Sequence, residues 1–345
     1  MYKNKKPFFI AEAGVNHENN LNLAEQIICE AKKGGADSVK FQTYKAETIA
    51  SKKSPAYWDT TKIKINSQFK LFKKYDHFNK IDYIKLKKIC DHNKIDFMST
   101  PFDHESALML NKLVKHFKIA SADLTNYPLI QTVCSFNKPI IISTGASNFR
   151  EISATVKFIK KINPKIKIIL LHCILSYPTQ YKDCNLNYIP ILKSKFKSCL
   201  VGLSDHTMPD ENLIVLTKAY ELGASVIEKH FTTKKMKGKK GNDHFHSICY
   251  EDIKKLKDNI KIINSISGSM TTRKVLTCEK NSRKFARRSL YTCGFIKKGE
   301  FFSSDNIIPK RPGTGISPID MKKIIGKKAK LNLSDDTQIK WSHLK

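Results

Sequence analysis

Short runs rich in β-branched and aromatic residues recur along the chain, each followed by a polar cluster and then by apolar residues three and four apart. The first spacing suits a buried strand and the second one face of a helix, so the alternation predicts repeated βα units and a parallel sheet. Strands are predicted near Phe8–Ala11, Ser38–Phe41, Asp96–Ser99, Phe117–Ala120, Pro139–Ile142, Ile166–Leu171, Leu200–Leu203 and Val226–Lys229. Eight is the strand number of a (β/α)8 TIM barrel. Between the strands, Ala24, Ile27, Ile28 and Ala31 fall on one helical face, as do Leu213, Leu216 and Tyr220. Gly34-Gly35 and Gly223-Ala224 then stop helices just before the next strand.

Three stretches break the rhythm. Ser51 to Asn79 is long for a βα loop and carries Trp58, Phe69, Phe72 and Tyr75, which suits a lid or a subunit contact. After a last helix with Ile253, Leu256, Ile260 and Ile263 on one face, the small residues of Ser265 to Ser269 suit a linker. The predicted domains are a barrel over 1–264, a linker over 265–282 and a small, mostly β module over 283–345. A module of about 60 residues is near the lower limit for independent stability.

With 345 residues there is room for one barrel and this module. No apolar run reaches the roughly 18 residues that span a bilayer, and Glu12 interrupts the apolar stretch behind the basic N-terminus where a signal peptide would need a continuous core. A cytoplasmic protein is expected. The nine cysteines form no Cys-x-x-Cys pair and read as reduced thiols. A formal charge of +31 raises nucleic-acid binding as a reading. Against it, arginine occurs only at Arg150, Arg273, Arg283, Arg287, Arg288 and Arg311, and the lysines spread along the whole chain instead of forming a stripe. The positive field still suits a small anionic substrate.

In a TIM barrel the C-terminal strand ends carry the chemistry. Here those positions hold Glu12, Asn16 and His17; Lys40 and Gln42; Thr100; Lys118, Ser121 and Asp123; Ser143 and Thr144; His172 and Tyr177; Ser204, Asp205 and His206; and Glu228 with His230. Each has a purely structural alternative. A strand-end Ser or Thr is equally suited to capping a helix, and His172 to a satisfied place in the core. Lys40 and Lys118 interrupt apolar strands, where a buried ammonium is costly unless it meets an anion. His206 and His230 end neighbouring strands of a closed barrel, so their imidazoles are expected to meet over its mouth. Two histidines with open positions suit a catalytic, Mn2+-like cation better than a closed structural zinc site.

The motifs Glu12-Ala13-Gly14-Val15-Asn16-His17, Val39-Lys40-Phe41-Gln42-Thr43, Ser99-Thr100-Pro101-Phe102, Lys118-Ile119-Ala120-Ser121, Gly202-Leu203-Ser204-Asp205-His206-Thr207 and Glu228-Lys229-His230-Phe231-Thr232 together resemble the sialic acid synthase family. Ile296-Lys297-Lys298-Gly299-Glu300 and Lys310-Arg311-Pro312-Gly313 resemble its antifreeze-like (SAF) domain. The resemblance implies a synthase that condenses phosphoenolpyruvate with an N-acylated amino sugar. The acceptor is of the N-acetylmannosamine type, or else the diacetamido sugar of legionaminate or pseudaminate synthases. By resemblance, His206 and His230 bind Mn2+, with Mg2+ or Co2+ as alternatives, and Lys40, Thr100, Lys118, Ser121, Ser143 and Ser204 hold phosphoenolpyruvate. Gln42, Tyr177, Asp243 and Phe285 meet the sugar, with Arg311 supplied by the other subunit of a domain-swapped homodimer. Glu12 and Asp123 are the candidates for proton transfer. Asp123 stands where Glu is frequent in the family, and Leu175 where a polar residue is usual. A Schiff-base aldolase using Lys40 or Lys118 is the competing enzyme class.

Overall fold

The strands β1 (Phe8–Gly14), β2 (Ser38–Thr43), β3 (Asp96–Pro101), β4 (Phe117–Ile119), β5 (Ile140–Ser143), β6 (Ile168–Cys173), β7 (Leu200–Asp205) and β8 (Val226–His230) form one sheet. Its order is β3-β2-β1-β8-β7-β6-β5-β4, every pairing is parallel, and its two ends, β3 and β4, lie side by side. That cyclic order with helices between the strands is a TIM barrel. The structure, a computed structural model, describes residues 6–58, 60, 64–239, 242–268 and 272–345. The basic residues 1–5, Gly241 and short parts of the 51–79 and 265–282 stretches lie outside them.

The predicted helical faces form as the spacing requires. In the helix Leu21–Gly34, Ala24, Ile27, Ile28 and Ala31 are buried. The Asn20 side chain accepts from the amides of Asn22 and Leu23, and Gly35 ends the helix at φ +85°. That left-handed geometry is one a side chain with a Cβ adopts only at a cost.

Strand periodicity divides the barrel into two environments. Ile10, Met98, Ile141, Ile169, Leu171 and Val226 point inward and pack into one apolar cluster. Val39, Phe41, Phe97, Ile119, Ile140, Ile142, Leu170, Leu203 and Ile227 belong to the larger cluster shared with the surrounding helices. Two residues beyond the inward layer, on the same face of each strand, come Glu12, Thr100, Ser143, Cys173 and Glu228. The apolar plug is therefore a floor on which a polar layer stands.

Most strands end one to three residues from their predicted ends, and two boundaries bear on the site and the domain division. β6 runs on to Cys173, because its end remains paired with β7 through Cys173 and Ser204. The last barrel helix, Tyr250–Ser267, continues three residues into the predicted linker, where Thr277–Glu279 and Lys280–Ala286 are also helical. Small polar residues tolerate an exposed helix end, so composition alone did not mark the stop.

The chain divides into compact units of 1–267 and 268–345. The second has its own apolar cluster, built around Leu290, Ile296, Phe302, Ile307, Ile324 and Ile339. Its antiparallel pair, β9 (Ser289–Thr292) and β10 (Ile307–Lys310), supplies the β character expected from the sequence. Among the described residues, no helix is long and apolar enough to cross a membrane.

Candidate active site

Inward-pointing ends of all eight strands meet in one cavity at the C-terminal mouth of the barrel. Glu12, Lys40, Gln42, Thr100, Lys118, Ser121, Ser143, Tyr177, Ser204, His206 and His230 line it together. At its centre is a buried alternation of charge. Lys40 Nζ lies 2.5 Å from Glu12 and 3.7 Å from Glu228, and Lys118 Nζ lies 3.7 Å from Glu228. Lys40 also donates to Thr100 Oγ1 at 3.1 Å, Gln42 donates to Glu12 at 3.2 Å, and Ser204 donates to Glu228 at 3.0 Å.

Burial acts on these groups in opposite senses, and their neighbours decide the outcome. It pushes the Glu12 carboxyl up to about 7, with Lys40 pulling the other way. It would lower the Lys40 ammonium too, but Glu12 and Glu228 outweigh it and hold that group above its ordinary value. Lys118, with only Glu228 close by, stays below its ordinary value. Burial would raise Glu228, but the two lysines outweigh it and keep that carboxylate ionised.

The hydroxyl side of the cavity is shaped by a close approach of backbone. The Gly145 amide donates to Ser121 Oγ at 3.0 Å, and a Cβ on Gly145 would stand 2.9 Å from that oxygen. Ser143 Oγ is buried and has no hydrogen-bond partner. A buried hydroxyl left unmet in a cavity that also holds two ammonium groups is poised to meet an anion.

The imidazoles lie on one edge. The rings of His206 and His230 are 5.4 Å apart, and Tyr177 packs 4.2 Å from His206. His206 Nδ1 lies 2.8 Å from the Ile174 carbonyl, which can only accept, so Nδ1 carries a proton; burial would lower the imidazole, but Cys173 and that carbonyl outweigh it and hold the group above its ordinary value. Asp243 Oδ2 is 3.4 Å from His230 Nδ1, and burial raises the Asp243 carboxyl to about 6. Burial holds His230 well below the ordinary histidine value, hence neutral. A neutral His230 beside a carboxylate, with orphaned buried nitrogens at His230 and His246, fits a divalent cation.

Above this lies a second cavity of about 380 Å3, lined by Gln42, Tyr44, Tyr57, Trp58, Phe72, Tyr177, His230 and Asp243 among others. Its aromatic wall comes from the 51–79 stretch, which the sequence marked as a lid or contact without assigning it a ligand. Pro55 bridges to Ser67, and the Trp58 indole donates to the Ile65 carbonyl, so the stretch folds back on itself over the mouth.

Asp123, Asn16, His17 and His172 do not line the cavity at the barrel mouth. The Asp123 carboxylate accepts from Asn126 at 3.0 Å. Phe285 and Arg311 are exposed residues of the second unit. Asn16 bonds the Phe231 carbonyl and Ser247, His17 stacks on Phe78, and His172 donates to the Cys184 carbonyl, so all three serve structural roles. Leu175 lines the cavity without a polar atom to offer. The sequence reading placed Glu228 on the rim but gave it no role; its inward face, shared with His230 two residues on, was the available signal. Cys173 lay just beyond the predicted end of its strand.

A parallel barrel whose mouth gathers acids, ammonium groups, hydroxyls and imidazoles from every strand defines an enzyme of the TIM-barrel class. Residues 27–272 match the NeuB family and residues 287–345 the SAF domain, so the chain belongs to the NeuB family and carries a SAF domain. An uncharacterized protein of Methanocaldococcus jannaschii is 40% identical, over 99% of this chain and 96% of its own length. The N,N'-diacetyllegionaminic acid synthase of Campylobacter jejuni is 39% identical, over 97% of this chain and 99% of its own. Its namesake in Legionella pneumophila is 36% identical, over 98% and 94%. The crystal structure of the N-acetylneuraminic acid (sialic acid) synthetase of Leptospira borgpetersenii, in complex with citrate, superposes with a TM-score of 0.67. That chain is 32% identical, with 81% of this chain and 90% of the other covered.

Proposed function

We propose that the protein condenses phosphoenolpyruvate with the open-chain aldehyde of an N-acylated amino sugar, releasing phosphate and a nine-carbon 2-keto sugar acid. The observation that carries this reading is the paired Lys40 and Lys118 on the barrel axis, ringed by Thr100, Ser121, Ser143 and Ser204. Such a cradle suits a small, multiply charged anion. C3 of phosphoenolpyruvate attacks the aldehyde carbon, water adds at C2, and phosphate leaves with the C2 oxygen. Lys40 and Lys118 hold the phosphate and carboxylate, and Glu12, beside both Lys40 and Gln42, is placed to pass a proton to or from the reacting oxygens. His230, His206 and Asp243 would hold a divalent cation, Mn2+ first, with Mg2+ or Co2+ as alternatives; when bound it polarises the aldehyde oxygen. A reducing, cytoplasmic setting and a domain-swapped homodimer, with Phe285 meeting the sugar and Arg311 acting from the partner chain, complete the proposal.

The sequence alone put an N-acetylmannosamine-type acceptor first. Two features move the preference to a diacetamido-trideoxy sugar of the legionaminate kind. One is the pair of legionaminic acid synthases at 36% and 39% identity. The other is the wall of Tyr57, Trp58, Phe72 and Tyr44, which offers apolar surface to acetamido and deoxy methyl groups where hydroxyls would find few partners.

A phosphate-release assay with phosphoenolpyruvate, Mn2+ and a panel of amino sugars tests both levels. Phosphate release is expected to be fastest with the diacetamido acceptor, to stop on chelation, and to be lost in His206→Ala. Chelator-resistant turnover together with borohydride trapping at a lysine would instead establish the Schiff-base aldolase.

The Glu12 carboxyl sets a pH dependence whose sign follows from its neighbours. Below about 7 it is protonated, Lys40 is released from its partner and the cradle gains one positive charge; above, the ion pair re-forms and competes with the anion. Phosphoenolpyruvate affinity should therefore fall as pH rises through about 7, with proton uptake on binding at neutral pH. Calorimetry in two buffers of different ionisation enthalpy measures that uptake, and Glu12→Gln should abolish the Glu12 part of it. Equal uptake in wild type and variant would exclude Glu12 as the group.

A further inference from the structure

His246 is the histidine that the ordinary structural roles leave unexplained. It lies on the short turn His244–His246 and is fully buried, with no hydrogen-bond partner at either ring nitrogen. The neighbouring His244, equally enclosed, shows what a satisfied histidine looks like on the same turn: its Nδ1 meets Thr232 Oγ1 at 2.8 Å and its Nε2 meets Glu18 at 3.3 Å. An imidazole stripped of water on both nitrogens is disfavoured unless another partner arrives.

The surroundings indicate what that partner is. The His246 ring lies 4.7 Å from that of His230, itself orphaned at Nδ1, and its Nε2 is 3.9 Å from Asp243 Oδ1. One donor atom from each of His230, Asp243 and His246 lies within 4.8 Å of the others. Donors bound at ~2.1 Å to one metal ion stand about 3 to 4 Å apart, so a small side-chain adjustment closes the three around a cation. The turn that presents them is fixed from behind. Asn16 donates to Ser247 Oγ at 3.0 Å, Ser247 donates to the Asp243 carbonyl at 2.5 Å, and the Asp243 amide donates to Asn16 at 3.1 Å.

We propose that His246 is a protein ligand of the divalent cation, forming with His230 and Asp243 a two-histidine, one-carboxylate face beside His206. The inference rests on the metal dependence proposed above but goes beyond the His206–His230 pair, which was all that strand ends suggested. A further imidazole shifts preference along the first-row series, towards Co2+, Ni2+ and Zn2+ and away from Mg2+. The remaining coordination positions stay open to substrate oxygens.

Metal binding to the full-length protein tests this without reference to turnover. Co2+ titrated into metal-stripped protein should bind at one site, and His246→Phe, which fills the space without a donor, should weaken that binding at least tenfold. On Mn2+-loaded protein, pulsed EPR should count one fewer coordinated imidazole nitrogen in His246→Phe than in wild type. His246→Gln serves as a second variant if the phenylalanine form does not fold. Unchanged Co2+ affinity and an unchanged nitrogen count in a folded variant would overturn the assignment of His246 while leaving the catalytic reading intact. Absence of any Co2+ site in the wild type would overturn both this inference and the metal dependence, and phosphate release would then decide the condensation reading separately.

Discussion

Lys40→Met is expected to reduce phosphoenolpyruvate-dependent phosphate release by about 10³-fold, chiefly through weaker phosphoenolpyruvate binding and without loss of the fold. The buried quartet of Lys40, Lys118, Glu12 and Glu228 carries two formal charges of each sign. Removing one ammonium group leaves Lys118 and Glu228 to cancel once Glu12 is protonated, so an incoming anion meets no net positive charge. At ~4 Å and an effective dielectric constant of ~20, one missing charge pair is worth about 4 kcal/mol, which corresponds to roughly 10³ in kcat/KM. The fold should survive because Glu12, already raised to about 7 by burial, loses the ammonium that lowers it and takes up a proton. Steady-state kinetics with far-UV circular dichroism and a thermal melt check both halves. Activity within tenfold of wild type would show that Lys40 is only a counter-ion for Glu12, and the phosphoenolpyruvate cradle would then have to lie elsewhere.

How much of this site the chain discloses depends on the kind of signal. Apolar strands interrupted by Lys40, Lys118 and Glu228 are conspicuous because a charge in such a run has few bland explanations, and strand parity aims all three at one axis. His206 and His230 follow from the same parity at adjacent strand ends. His246 has no such signal, since it lies on a three-residue turn after a loop, where no period relates its direction to the barrel axis. Nor does Asp123, which sits on a short turn after β4, outside the cavity lining and bonded to Asn126. The aromatic wall was visible as composition, while its position over the mouth arises from a fold-back through Pro55 and Ser67 that no local pattern specifies. Regular elements transmit direction along the chain; loops transmit only content.

The same parity identifies the residues that hold the histidines in place. Asp205 and Lys229 face outward from β7 and β8, each one residue before an inward histidine, and are paired in register. Lys229 Nζ lies 2.7 Å from Asp205 Oδ2, both side chains are almost completely buried, and Lys229 also donates to the Thr207 carbonyl. Asp205 further accepts from the Thr207 amide at 3.1 Å and hydroxyl at 2.9 Å. Lys229→Met should therefore cost about 3–5 kcal/mol, the usual result of leaving one member of a buried ion pair without its partner. Burial alone would raise the Asp205 carboxyl, but Lys229 outweighs it and keeps that group below its ordinary value. In wild type the pair's contribution is thus present above the unfolded-state value of ~3.9 and is lost as pH falls through the lower folded value. In the variant only the Thr207 bonds still oppose burial, the folded carboxyl moves above its unfolded value, and the penalty is greatest at neutral pH and shrinks on acidification. Asp205→Asn combined with Lys229→Met should recover most of the loss, because asparagine keeps an acceptor for Thr207 without a charge. Denaturant unfolding of the single and double variants at pH 5 and 7.5 measures this. A double variant no more stable than the single one would mean that Lys229 acts through its bond to Thr207 and not through the charge on Asp205. Because His206 and His230 directly follow the paired residues, the destabilised single variant should also bind Co2+ more weakly, and the double variant should regain that affinity together with its stability.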